Sequence, residues 1–396
     1  APASRGRIAI DAASSPARRI EPAIAASLPR ISWLCIEDAD GNPHEWIERE
    51  IAAEHLALLQ YTSGSTGLPK GVMVTHANLM HNQAAIQHSM QLSQDSRFVG
   101  WLPLFHDMGL IGNVMQSLYL GISCVLMPAV AFLQKPARWL SAISRYRATI
   151  SGAPNFAYDL AVDRTTPQQR AGLDLTCWSV AFNGSEPVRA ETLERFAATF
   201  ASAGFRRTSF YPCYGMAEST LFISGATQGG EPKVVPLEPS PCVGCGKPAP
   251  GTLLAIVDPE SHVRLPDGTV GEIWVSGSSV GMGYFNKPKQ TEKTFRARIA
   301  GSGEGPFLRT GDLGFVRDGH LFITGRIKDL IIVRGRNHYP MDLEATAECS
   351  NPMLAKGAGA AIGLESARHA TVAIVHELTR EGWRRADREA VAADIR

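Results

Sequence analysis

Short apolar runs and helix-spaced apolar stripes alternate through roughly the first 225 residues of the chain. Leu56 to Tyr61 is a run that stops at a Ser/Gly/Thr cluster, the pattern of a buried strand entering a loop. Thr75 is placed to cap a helix carrying Leu79, Met80, Ile86 and Met90 on its apolar side. Glu191 to Ala203 predicts another amphipathic helix, with Leu193, Phe196, Ala197 and Phe200 at helical spacing. Between these, Leu110 to Leu133 is uncharged, mostly apolar and long enough to span a bilayer. Asn113, Gln116, Gly121, Ser123 and Pro128 interrupt it, which favours a buried helix (about 111–120) running into a buried strand (about 122–127). Such alternation predicts α/β layers around a largely parallel sheet.

After about residue 230 the texture changes. Leu253–Val257, Glu272–Ser276 and His320–Thr324 read as short strands punctuated by turns such as Pro266-Asp267-Gly268, predicting a smaller, more antiparallel β-subdomain. Gly325 to Asp329 reads as a junction, after which a strand (Leu330–Val333) and a helix (Met341–Cys349) begin a further α+β unit. No internal repeat or low-complexity tract is visible.

Composition narrows the function classes. The chain of 396 residues is 44% hydrophobic and 19% charged, as ordinary globular proteins are. A formal net charge of +1 gives no case for nucleic-acid or membrane-surface binding. The seven cysteines are odd in number and irregularly spaced, which predicts reduced thiols and a cytoplasmic setting. Cys242 and Cys245 form a Cys-x-x-Cys pair without a second pair, and packing thiols are the better reading than zinc ligands. The start of the chain has no Met and no signal-peptide core.

Tyr61-Thr62-Ser63-Gly64-Ser65-Thr66-Gly67-Leu68-Pro69-Lys70-Gly71 is the most informative segment. Its glycines let the backbone turn tightly, its hydroxyls and N–H groups can surround phosphate oxygens, and Lys70 adds positive charge. A polar surface loop is the plain alternative. The spacing does not fit a Walker A loop. Nor does Gly64-Ser65-Thr66-Gly67 match the Gly-x-Ser-x-Gly elbow of a serine hydrolase. Asn183-Gly184-Ser185-Glu186-Pro187 closes an apolar run, as loops at the ends of α/β strands do where ligands bind. Tyr214-Gly215-Met216-Ala217-Glu218-Ser219-Thr220 sets a ring able to stack on a base beside a carboxylate able to ligate a hard cation. Arg309-Thr310-Gly311-Asp312 offers a carboxylate that can accept from two ribose hydroxyls, and Gly325-Arg326-Ile327-Lys328-Asp329 follows it.

Together these segments resemble, in order, the motifs of the adenylate-forming superfamily of acyl-CoA ligases, adenylation domains, luciferases and fatty acyl-AMP ligases. The likeness covers roughly residues 50–350. Trp101-Leu102-Pro103-Leu104-Phe105-His106-Asp107-Met108-Gly109-Leu110-Ile111, Phe182 to Arg189 and Arg334-Gly335-Arg336-Asn337-His338-Tyr339-Pro340 are similar to the fatty acyl-AMP ligase branch. The resemblance implies a large adenylating domain over 1–325 (αβ subdomains to about 230, a β-subdomain over about 231–325) and an incomplete small α+β domain over 326–396. It implies ATP and Mg²⁺ as cofactors, a fatty acid as substrate and an acyl carrier protein as partner, without nucleic-acid binding or stable membrane insertion. ATP or AMP would contact Thr62, Ser63, Gly64, Ser65, Thr66, Gly67, Lys70, Asn183, Gly184, Ser185, Tyr214, Gly215, Met216, Ala217, Asp312 and Arg326. Thr66 and Glu218 would hold the metal, Lys70, His106 and Glu218 would serve catalysis, and Lys328 would be the hinge.

The implied reaction is in-line attack of a carboxylate oxygen on the ATP α-phosphorus with loss of pyrophosphate, in which positioning and charge neutralisation do most of the work. His106 has a plain alternative as a satisfied core histidine. Three departures from the pattern stand out. Only about 60 residues precede the phosphate loop, where the family carries a hundred or more. The family's late Lys, a donor of the kind whose loss costs about 10²–10³ in rate, has no counterpart before Arg396. Gln228 to Gly244 is shorter than the insertion usual in fatty acyl-AMP ligases, which keeps a fatty acyl-CoA ligase open as an alternative, alongside a non-catalytic adenylate-binding domain.

Overall fold

A computed structural model of the chain describes residues 8–10, 47, 50–62, 69–237, 240–333, 336–365 and 370–395. Its centre is an eight-stranded sheet in the spatial order 8–10, 123–126, 97–100, 150–152, 180–183, 210–215, 222–225 and 247–248. The first six strands run parallel, and the last two join antiparallel. Parallel pairing requires crossovers; Ala137–Tyr146, Asn155–Asp163 and Ala190–Phe200 are helices in those connections. Val99, Cys124, Val180 and Ala181 are fully buried, as strands covered on both faces must be.

The core beside this sheet is aromatic. Trp139 and Phe196 each meet Tyr158 and Trp178 edge to face with ring centroids 5.0–6.0 Å apart, and Tyr158 stacks on Trp178 at 6.4 Å. Both indoles are satisfied internally, Trp139 donating to Ser151 Oγ at 2.8 Å and Trp178 to the Val180 carbonyl at 3.0 Å. A second sheet, ordered 283–284, 70–75, 56–62, is antiparallel, as is a third, ordered 252–257, 271–277, 308–317, 320–326. Beyond these, 331–333 pairs with 336–338 and 354–365 with 370–378, and the helix Pro340–Ser350 packs on the longer hairpin.

The layered α/β expectation holds, as do the antiparallel strands after residue 250. The interrupted apolar stretch is a helix from Met108 to Leu120, wound as a π-helix to Met115, which ends at left-handed Gly121 (φ 66°) before the strand Ser123–Leu126. No described helix is long and apolar enough to cross a membrane. Thr75 caps the helix His76–Ser89 in a reciprocal pair of hydrogen bonds with Asn78 (3.0 and 3.1 Å).

Two expectations need correction. The strand Leu56–Thr62 lies at the edge of the three-stranded antiparallel sheet, with Leu56 and Tyr61 exposed and Gln60 its one buried residue. An apolar run alone does not separate an edge strand from a central one. Met80 is exposed, and the helix buries Asn82, Gln83, Ala85 and Ile86 instead. That face packs against backbone: Asn82 donates to the Phe222 carbonyl (3.0 Å) and accepts from the Phe222 N–H (3.1 Å). Polar residues therefore belong on its inner side.

Phe196 is fully buried among Tyr158, Trp178 and Phe205. Phe196→Ala is expected to cost about 3–5 kcal/mol, seen as a lower urea midpoint; an unchanged midpoint would contradict this packing.

Candidate active site

A cavity of about 1050 Å³ opens where the sheets meet. Thr62 and Lys70 pair across the base of the hairpin made by Leu56–Thr62 and Lys70–Thr75, so the phosphate-type loop is closed at its foot and both residues line the cavity. Ser63, Gly64, Ser65, Thr66 and Gly67 lie outside the described residues.

Tyr214, Asp312 and Arg326 come from three strands and meet on one wall. Asp312 pairs in register with Arg326 in the four-stranded sheet. Its carboxylate accepts from the Tyr214 hydroxyl at 2.7 Å and from Arg326 Nε at 2.9 Å. Asp312 is only 5% exposed. Burial raises its pKa above the ordinary carboxylate value, and the Arg326 charge and the Tyr214 hydrogen bond oppose that rise. Asp312 sits in a strand, directly after Gly311 at φ +73°.

A second buried carboxylate faces the same space. Glu218, 8% exposed, sits in the single turn Ala217–Ser219. It accepts a 2.7 Å hydrogen bond from the Tyr284 hydroxyl, and Lys70 Nζ lies 5.0 Å from the centre of the Tyr284 ring. Burial pushes the Glu218 pKa up, and the Tyr284 bond partly counters it. The turn is pinned from outside: the Glu218 carbonyl accepts from Gly281 N–H (2.9 Å), and Thr220 donates to the Ser279 carbonyl (2.6 Å). Gly215 admits no side chain, since a Cβ there would run into the Leu221 carbonyl. Met216 and Ala217 also line the cavity.

Glu218 is suited to a magnesium ion. Mg²⁺ is commonly held by one or two carboxylates together with substrate phosphates, and a desolvated carboxylate gains most from a cation. No cluster of three or more His, Cys, Asp or Glu able to hold a metal occurs among the described residues.

His106 is not a core histidine. Its side chain is 52% exposed at the cavity wall, with Nδ1 2.7 Å from Asp107 Oδ1. The Asp107 hydrogen bond raises its pKa above the ordinary 6.5, against a smaller opposing effect of burial. Asp107 also accepts from Met108 N–H (2.6 Å) at the start of the π-helix. Gly184 and Ser185 line the cavity, but Asn183 turns inward, donating to Asn155 Oδ1 at 3.1 Å, and is fully buried. Its part is to hold the loop, since Asn155 in turn donates to the Pro187 carbonyl (2.9 Å). Lys328 lies in the turn after the strand His320–Arg326 and lines the cavity; burial, then the charges of Lys70 and Arg326, lowers its pKa.

Residues 8–285 match the family model described as AMP-binding enzyme. The chain belongs to the AMP-binding enzyme family. It is 45% identical to a medium-chain fatty acid–acyl carrier protein ligase of Moorena producens, over 94% of this chain and 67% of the relative. A long-chain fatty acid–AMP ligase of Mycobacterium marinum is 43% identical over 74% of this chain and 54% of its own length. The solved fatty acyl-adenylate ligase of Legionella pneumophila, in complex with acyl adenylate and pyrophosphate, superposes with a TM-score of 0.71 at 40% identity, covering 88% of this chain and 64% of that one. The chain thus spans about half to two thirds of the length of these relatives.

In this AMP-binding enzyme, sequence reasoning overlooked Tyr284. Its partners Glu218 and Lys70 are 66 and 214 positions away, and its own surroundings carry no motif. Asp107 was visible within a motif, but without its bond to His106.

Because Asp107 favours charged His106, that contribution to stability is full below the unfolded pKa near 6.5 and is lost as pH rises through the higher folded value. Asp107→Asn is expected to move the His106 titration, followed by NMR, to lower pH. An unchanged midpoint would show that Asp107 does not set it.

Proposed function

We propose that this chain activates a fatty acid with ATP, forming fatty acyl-AMP and pyrophosphate, and that the complete protein passes the acyl group to an acyl carrier protein. The observation that carries this reading is the continuity of one cavity: it runs from Tyr214, Asp312 and Arg326, past His106, to apolar residues between two helices. Ile86 and Met90 line it from the helix His76–Ser89 and its cap, Met108 and Gly112 from the π-helix, and Phe98 and Phe182 from the sheet. A nucleotide and an alkyl chain can therefore lie end to end. The names of the relatives, ligases of fatty acids with carrier protein or AMP, agree with this.

In this account the Tyr214 ring carries adenine and Asp312 accepts from the ribose hydroxyls, steadied by Arg326. The tunnel holds the alkyl chain so that a carboxylate oxygen attacks the α-phosphorus, and the bond to pyrophosphate breaks. His106, when protonated, and Lys70 offset the repulsion between two anions. Mg²⁺ bound at Glu218 and Thr66 would supply further neutralisation of phosphate charge. We assign 1–325 to the large adenylating domain and 326–396 to a small domain that pivots at Lys328.

A second cavity of about 840 Å³ shares Ser185, Tyr214, Asp312 and Arg326 and reaches Tyr339, Met341 and Ala361, which suits the approach of an acceptor's thiol arm. The short hairpin of 234–235 with 242–243, in place of a longer insertion, favours coenzyme A as an alternative acceptor.

ATP–pyrophosphate exchange by the complete protein with decanoic acid tests the reading. Exchange that needs the acid, with acyl-AMP persisting when coenzyme A is added, is expected. Conversion to acyl-CoA would reassign the acceptor, and no exchange would leave only a binding function. Glu218→Gln should lower exchange about 10²–10³-fold; wild-type rates in this variant would remove Glu218 from the chemistry. Gly112 faces Leu221, 3.1 Å from where a Cβ would stand. Gly112→Val should narrow the tunnel and shift preference from decanoic to shorter acids in the same assay, whereas an unchanged length profile would place the alkyl chain elsewhere.

A further inference from the structure

Gln116 was visible in the sequence only as an interruption of an apolar stretch, and the adenylation chemistry makes no use of it. It begins the α-helical continuation of the π-helix, at αR dihedrals and without a break (φ −63°, ψ −39°). It is fully buried. Among the described residues, neither its amide nitrogen nor its amide oxygen has a hydrogen-bond partner. An unmet buried polar group costs about 1–3 kcal/mol, and most buried polar atoms in folded proteins are paired. Asn113, one turn earlier, shares this state but packs against Gly100 and does not line the cavity. Gln116 does line it.

Its place in the cavity is set by helical spacing. Met108, Gly112 and Gln116 recur every four residues, and all three line the cavity. Met108 stands at the reacting end of this row. Its N–H contacts Asp107, and its sulfur lies 3.8 Å from Ser185 Oγ. Gln116 is the other end, where the helix His76–Ser89 packs across and brings Ile86 and Met90. The row is at most about 12 Å long at 1.5 Å per residue. An alkyl chain advancing about 1.25 Å per carbon, from ordinary bond lengths and angles, spans it with eight to ten carbons. The far end of such a chain comes to Gln116, whose carboxamide turns toward the cavity to meet it, since both amide atoms are closed to solvent; a tunnel for plain alkyl tails would present a methyl or a ring there.

We propose that Gln116 reads the distal end of the substrate, and that the preferred acids are medium-chain acids bearing a hydrogen-bonding group, such as a hydroxyl, at the end opposite the carboxylate. This rests on the acid-adenylating reading of the same cavity. A terminal hydroxyl both donates and accepts, so it can pair with the Gln116 carbonyl or its NH₂. A methyl end leaves both amide atoms unmet, and sites built to bond a polar group reject analogues that lack it.

The test compares 8-hydroxyoctanoic with octanoic acid and 10-hydroxydecanoic with decanoic acid in ATP–pyrophosphate exchange by the complete protein. At one or both lengths, kcat/KM for the hydroxy acid is expected to exceed that of its methyl-ended partner at least about 10-fold. Gln116→Leu should reverse the ratio, because the leucine end favours a methyl. The wild-type ratio decides the matter even if the variant does not fold. Preference for the methyl-ended acids at both lengths overturns this inference and leaves adenylation standing. Exchange with none of the four acids overturns the adenylation reading and this inference with it.

Discussion

Two carboxylates buried in one cavity impose the constraint around which this molecule is arranged. Glu218 and Asp312 are both below 10% exposure, and burial raises the pKa of each. Desolvation of that kind is tolerated when hydrogen bonds and opposite charge answer it. Each accepts a tyrosine hydroxyl at 2.7 Å, Tyr284 for Glu218 and Tyr214 for Asp312, and Asp312 has the Arg326 guanidinium as well. Lys70 lies over the ring of Tyr284. The two clusters draw on all three main sheets, which explains why this architecture keeps them together. Tyr284 pairs with the strand that begins at Lys70, Asp312 pairs with Arg326, and Tyr214 ends the parallel run of the large sheet.

Such a site is prepared for a ligand that brings both hydrogen-bond donors and cations. In the proposed reading, ribose hydroxyls would answer Asp312 and a phosphate-bound divalent cation would answer Glu218. The other end of the cavity obeys a different rule. There the lining is apolar, contributed by two helices and the faces of sheet strands, and the row of Met108, Gly112 and Gln116 gives it depth. The π-helical winding over Met108–Met115 belongs to this end, as such windings often occur at functional sites.

Much of this was legible in the sequence, for identifiable reasons. Tyr214, Glu218, Asp312 and Arg326 sit in compact motifs whose order along the chain is itself informative, and the structure brings them to one cavity. The helix–strand alternation and the Thr75 cap were legible because they are local. What escaped was long-range or polar. Tyr284 acts only through partners far away in the chain. Asn82 and Gln83 turn inward because their helix packs on exposed backbone, a condition that hydrophobic spacing does not register. Leu56–Tyr61 looked buried because edge and central strands share the same apolar runs. The bond from the Asn183 amide nitrogen to Asn155 beneath the loop was likewise not legible in the sequence.

The most direct test of the central claim, that one cavity seats nucleotide and acyl chain end to end, is a crystal structure of the complete protein with a non-hydrolysable decanoyl adenylate analogue. The account predicts adenine against the Tyr214 ring, ribose hydroxyls on Asp312 and the alkyl chain along Met108, Gly112 and Gln116. A nucleotide bound away from Asp312, or an alkyl chain that avoids the two helices, would contradict it.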